Sequence, residues 1–67
     1  MYEGIVKTII EGKGFGFIES PNQPDFFFHC SSLNGLDFDE VLIGRRVRFD
    51  MQSTPKGNRA IDVQAAD

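Results

Sequence analysis

Lys13-Gly14-Phe15-Gly16-Phe17-Ile18-Glu19 and, beyond Ser20-Pro21-Asn22-Gln23-Pro24, Asp25-Phe26-Phe27-Phe28-His29-Cys30 are two short aromatic segments divided by a pair of prolines. Proline cannot occupy a central strand, so the division is a turn between two strands. Side chains alternate between the faces of a strand. Phe15 and Phe17 therefore fall opposite Gly14, Gly16 and Ile18, and Phe27 and His29 fall opposite Phe26 and Phe28. One face of each strand must be core. Glycine suits the crowded interior of a small barrel and phenylalanine brings volume to it, so Gly16, Ile18, Phe26 and Phe28 are predicted to point inward. Phe15, Phe17, Phe27 and His29 are left together on the solvent side of neighbouring strands.

Outward from this pair the chain keeps the same spacing, with Gly and Pro cutting it into segments too short for ordinary helices. Tyr2–Ile10, rich in Ile, Val and Thr, reads as a first strand ending at Glu11-Gly12. Gly14–Glu19 and Asp25–Cys30 are the second and third, forming an antiparallel meander with the first. Ser31–Gly44 has no steady period, and a loop of that length in so small a domain tends to carry function. Arg46–Met51 alternates cleanly, with Val47, Phe49 and Met51 on one face and Arg46, Arg48 and Asp50 on the other. After Thr54-Pro55-Lys56-Gly57-Asn58, Arg59–Gln64 supplies a fifth strand with Ile61 and Val63 as its apolar pair, and the Ala-Ala-Asp tail is expected to fray. Five strands and no helix point to closure, which removes exposed edges: an all-β, five-stranded antiparallel OB-fold barrel. Gly4, Gly14 and Gly16 are placed where strands bend or backbones approach.

At 67 residues there is room for one domain, residues 1–67, and for no cleft between lobes. The single cysteine cannot form an internal disulfide, and Cys30 with His29 falls short of the four ligands of a structural zinc site. No metal and no cofactor are expected. The lone cysteine fits a reducing compartment, Met1-Tyr2-Glu3-Gly4 lacks the features of a secretion signal, and no apolar run approaches the ~20 residues that span a bilayer. A cytoplasmic address away from the membrane is expected. Ten acids against seven Lys and Arg give a net charge of -3, which argues against a nucleic-acid binder held by bulk electrostatics.

The exposed rings argue for one held by other means. Clustered surface aromatics need a partner, and each ring offers a platform for an unpaired base. Lys7 and Lys13 lie at the margin of the patch, where phosphates would pass. The competing readings are a thick core that buries these rings and a protein-contact patch.

The Lys13–Ile18 run and the Phe27-Phe28-His29 run resemble the two ribonucleoprotein motifs of cold-shock domain proteins, the small bacterial ones in particular. The likeness continues through Glu3-Gly4-x-Val6-Lys7, Asp25, Ser31, Phe38 and Gly44, and its full-length extent leads us to expect a complete protein. The resemblance implies a barrel that binds single-stranded RNA and DNA with low sequence specificity and acts as an RNA chaperone or a regulator of transcription and translation. It implies base stacking by Phe15, Phe17, Phe27, His29 and Phe38, backbone contacts from Lys7 and Lys13, and a base-edge hydrogen bond to Asp25. Lys56 and Arg59 match a region that lines the same groove. Thr8, Ile9 and Cys30 stand where the family carries aromatic rings, and Ile10 where it carries Asn, which predicts a smaller platform and weaker binding.

Other combinations are weaker. Adjacent residues on a strand face opposite ways, so His29 and Cys30 are not expected to pair without a bulge. Asp37, Asp39 and Glu40 lack the spacing of a calcium loop and read as a solvated acidic loop. Gly12-x-Gly14-x-Gly16 is followed by no helix and is no phosphate fingerprint. Arg45, Arg46, Arg48, Lys56 and Arg59 either decorate exposed strands or extend the nucleic-acid track. No acid, base and nucleophile can be assembled, so neither an enzyme nor a small-molecule substrate is expected. The sequence therefore predicts a monomeric single-strand binder, with a protein-docking barrel, or a dimer through the same patch, as the alternative.

Overall fold

The computed structural model of the chain describes residues 1–66. Five strands, β1 (Tyr2–Ile10), β2 (Phe15–Glu19), β3 (Phe26–His29), β4 (Arg46–Thr54) and β5 (Gly57–Ala65), close into a barrel in the order β1-β2-β3-β5-β4. The β1–β2, β2–β3, β1–β4 and β4–β5 pairs are antiparallel as expected, whereas β3 and β5 run parallel, meeting at Phe27 and Arg59. This one parallel seam corrects the wholly antiparallel expectation. An odd number of strands that mostly reverse direction cannot close without a like-directed pair.

Val6, Ile18, Phe26, Phe28, Val47, Phe49, Ala60 and Val63 fill the interior with almost no exposure, and Leu36 and Val41 close one end. The inward set predicted for β2 and β3 is thus the observed one. Phe26 and Phe49 meet edge to face at 4.9 Å, with Tyr2 lying 5.5 Å and 5.8 Å from them. A methyl group on Gly16 would meet the Thr8 carbonyl oxygen and come within 2.9 Å of the Phe28 ring, so the backbones touch where a side chain would stand. Gly14 lies outside β2: it adopts φ 69° and caps the Glu11–Lys13 3-10 turn.

Alternation fails at two bulges. On β1 the register jumps between Val6 and Thr8, so Val6 pairs with Ile18 but Thr8 pairs with Phe17. The extra residue, Lys7, turns outward, and Thr8 and Ile10 move to the outer face while Ile9 packs against the core. On β5, Asp62 takes φ 53° where the β4–β5 register shifts. Ala60 and Val63, three residues apart, are consequently both buried, and Ile61 is left half-buried, against the expected Ile61–Val63 pair. Val47 and Phe49 share the core as expected, but Met51 is 37% exposed because the β4–β5 hairpin projects past the barrel.

The long segment after β3 is pinned. Cys30–Ser32 and Phe38–Glu40 form 3-10 turns, the Asn34 N–H donates to the Val63 carbonyl at 2.8 Å, and Asn34 Nδ2 donates to Asp62 Oδ1 at 2.6 Å. Asp37 and Glu40 cap the second turn, the Asp37 N–H donating to Glu40 Oε1 at 2.9 Å. Ala65 belongs to β5 and the Ala66 N–H donates to the Arg46 carbonyl, so the expected fraying does not begin at Ala65; Asp67 lies outside the described residues.

Candidate nucleic-acid interface

The pairing registers place the outward side chains in rows across the strands. Thr8, Phe17, Phe27 and Arg59 form one row spanning β1, β2, β3 and β5; Ile10, Phe15 and His29 form the next. Paired residues on adjoining strands point to the same face. Phe15, Phe17 and Phe27 are half-buried and mutually packed, with centroid distances of 5.3 Å (Phe15–Phe27), 6.0 Å (Phe17–Phe27) and 6.2 Å (Phe15–Phe17). Their tilted and edge-on contacts hold the rings in place while leaving part of each surface open.

His29 closes the second row. The Ser31 N–H donates to its Nδ1 at 3.1 Å, so the neutral ring carries its proton on Nε2, the nitrogen free to meet a ligand. β3 ends at His29 and Cys30 opens a 3-10 turn, which brings Cys30 Sγ to 3.8 Å from His29 Nδ1. The opposite-face expectation for these neighbours therefore lapses because the strand has stopped. Both side chains lie at the platform's edge, and Nδ1 is already satisfied by Ser31.

One pleat beyond Phe17 and Phe27, Lys7 Nζ donates to Asp25 Oδ2 at 3.0 Å. The hydrogen bond and the charge of Asp25, with a smaller contribution from Glu19, hold the Lys7 ammonium above its ordinary pKa of 10.5. The two residues that the sequence assigns separately to phosphate and base edge are here each other's partner. Lys13 is exposed at the end of its 3-10 turn.

Against Phe17 and Phe27 the β4–β5 turn folds over to enclose a groove of about 640 Å³, lined by residues 54–59, Lys56 and Arg59 among them. Lys56 and Arg59 thus lie in one groove with the Phe17 and Phe27 rings. Phe38 is placed elsewhere: its half-buried ring packs against the core and lines a separate recess with Ile9, Glu11, Asp39, Val41 and Leu42. Thr54, Pro55 and Asn58, which line the groove, escape the sequence reading, whereas Thr8 and Ile10, which complete the rows, stand where the resemblance places members of the family's platform. Only the turn composition of Thr54–Asn58 hints at the groove residues, and alternation alone, broken by the bulge, would have turned Thr8 and Ile10 inward.

The family model for the 'Cold-shock' DNA-binding domain matches residues 2–66. The chain belongs to the cold-shock domain family. The domain is similar to cold shock protein CspC of Bacillus subtilis, 39% identical over 66 residues, covering 98% of this chain and 100% of the relative. It is 42% identical over 62 residues to the cold shock-like protein CspC of Buchnera aphidicola, covering 91% of this chain and 90% of that one. Among solved structures it superimposes on drosophila Unr CSD456 with a TM-score of 0.78 at 24% identity, a likeness of fold. That match covers 98% of this chain and 26% of the other, so the cold-shock domain spans about a quarter of that longer chain. The family binds nucleic acid and is not one of enzymes. Among the described residues no helix is long and apolar enough to cross a membrane.

Proposed function

We propose that this cold-shock domain binds single-stranded RNA and DNA with low sequence specificity, stacking unpaired bases on Phe15, Phe17, Phe27 and His29. The carrying observation is the cluster of three rings held 5.3–6.2 Å apart on the outer face of β2 and β3. Each stacked base contributes about 1–3 kcal/mol, and every base has a face to stack, which explains tolerance of sequence. Lys13 and Lys56 draw the backbone along the rings, and Arg59 lines the groove beside them. Lys7 and Asp25 join them when their exposed ion pair, of the kind that exchanges readily with solvent, gives way to a phosphate and a base edge. Phe38, seated apart, stacks on a base at the end of the track.

No energy source is required. Capture of the unpaired strand shifts a hairpin's equilibrium by mass action, which is how such a domain acts as an RNA chaperone or modulates transcription and translation in a cold-shock-type response of the cytoplasm. A monomer presents the whole surface.

Fluorescence anisotropy of labelled hexa- to octanucleotides tests this reading. Phe17→Ala and Phe27→Ala are expected to lose binding while keeping the far-UV circular dichroism and melting behaviour of a folded barrel. Absence of binding by the unaltered protein at several hundred micromolar would overturn it and transfer the ring patch to protein contact.

A further inference from the structure

We propose that Arg59 makes this domain prefer guanine at one position of an otherwise indifferent strand; the inference rests on the single-strand reading above and concerns the same groove. Three observations carry it. Arg59 ends the row Thr8, Phe17, Phe27, Arg59, so it stands on the same face as the two rings and one strand beyond Phe27, roughly 4.8 Å away in the pairing direction. Its Nε is buried without a hydrogen-bond partner among the described residues, so the terminal Nη groups are the part of the guanidinium that can serve the groove Arg59 lines. Among the described residues no carboxylate lines that groove to neutralise it.

Position separates base from phosphate. A base lying on Phe27 presents its edge, within the plane of the stack, toward the next strand of the row, and that strand supplies Arg59. The backbone of the same nucleotide passes outside the rings, where the exposed Lys56 and Lys13 stand. An arginine fork takes two acceptors side by side. On the edge that bases show to a major groove, guanine alone offers two, O6 and N7; adenine sets a donor beside N7, uracil and thymine have O4 alone, and cytosine presents a donor. In single strands these edges are open to side chains, as are the Watson–Crick edges, where cytosine sets N3 beside O2, so cytidine is the control that decides which edge Arg59 reads.

The test is anisotropy with hexauridine in which one guanosine is walked through the chain, beside adenosine, cytidine and 7-deazaguanosine at the preferred place. Guanosine there is expected to tighten binding by about five- to 150-fold, the range of a bidentate contact. 7-Deazaguanosine, which lacks the N7 acceptor, is expected to return most of that gain with the protein unaltered. Arg59→Lys, which keeps the charge and loses the fork, is expected to cancel the gain from guanosine, so that the guanosine-containing and all-uridine strands bind this variant alike. Equal weakening of every oligonucleotide by Arg59→Lys would make Arg59 a phosphate contact and overturn the proposal, as would preference for cytidine or no preference at all. If hexauridine binds and Phe17→Ala abolishes that binding, such a failure touches Arg59 alone; if nothing binds, the single-strand reading fails and takes this proposal with it.

Discussion

Lys7 Nζ lies 3.0 Å from Asp25 Oδ2, tying the bulge of β1 to the residue that leads into β3. The pair is half-exposed on both sides, so its worth to the fold is small, but it has a pH signature. Because folding raises the Lys7 pKa above 10.5, the pair's contribution is fully present below that ordinary value and is lost as pH rises through the raised one. The melting-temperature gap between the unaltered protein and Asp25→Asn is expected to be constant from neutral pH to about pH 9 and to close in the range above the usual lysine pKa. A gap that persists at about pH 12 would mean that Asp25 acts through something other than Lys7.

Gly16→Ala tests the tight seam of the barrel. The added methyl meets the Thr8 carbonyl, a backbone atom of the paired strand β1, and the fully buried Phe28 ring, neither of which is the free end of a flexible side chain. We expect a loss of about 1–3 kcal/mol or more in urea unfolding. Gly12→Ala, whose methyl meets nothing within 4 Å, is expected to stay within about 0.5 kcal/mol of the unaltered protein.

Thr8→Trp tests the row that spans the strands. Thr8 pairs with Phe17, so an indole there adjoins Phe17 on the outer face and extends the platform onto β1. Affinity for an oligonucleotide long enough to reach it is expected to rise by about 1–3 kcal/mol, measured by anisotropy. Ile9→Phe is expected to add little, since Ile9 packs against the core and its new ring must repack that side.

Salt tests how much of the binding is electrostatic. With a net charge of -3 the protein as a whole repels the backbone, and attraction is confined to a few cations beside the rings. Contact with two or three phosphates predicts a log–log slope of roughly -1.4 to -2.1 in titrations across salt concentrations. A much steeper slope would show that the phosphates rather than the rings dominate.

The ring cluster was legible in the sequence because everything that makes it is local: two adjacent strands, a short turn, and strict alternation through Phe15, Phe17, Phe27 and His29. The core phenylalanines followed by the same rule. What escaped depends on backbone irregularity or on distant partners. Nothing in Val6-Lys7-Thr8 announces a bulge, yet the bulge sends Thr8 outward; nothing in Ile61-Asp62-Val63 announces that Asp62 takes a positive φ, yet this sets Ala60 and Val63 on one side. The parallel seam, the Lys7–Asp25 pair and the packing of Phe38 away from the rings arise when remote segments meet, and local periodicity carries no record of such meetings.

The parallel seam also sets when the site comes into being. β2 and β3 are neighbours in sequence, so their rings are expected to assemble first, through a local hairpin, whereas Arg59 joins them from β5 through a long-range contact that needs the closed barrel. A chain with the hairpin formed and the barrel open would carry the aromatic face without the wall that turns it into a groove. A ligand that needs both sides would recognise only the finished molecule and weight its equilibrium toward the closed form, so the proposed nucleic-acid partner would also be a folding partner for a barrel this small.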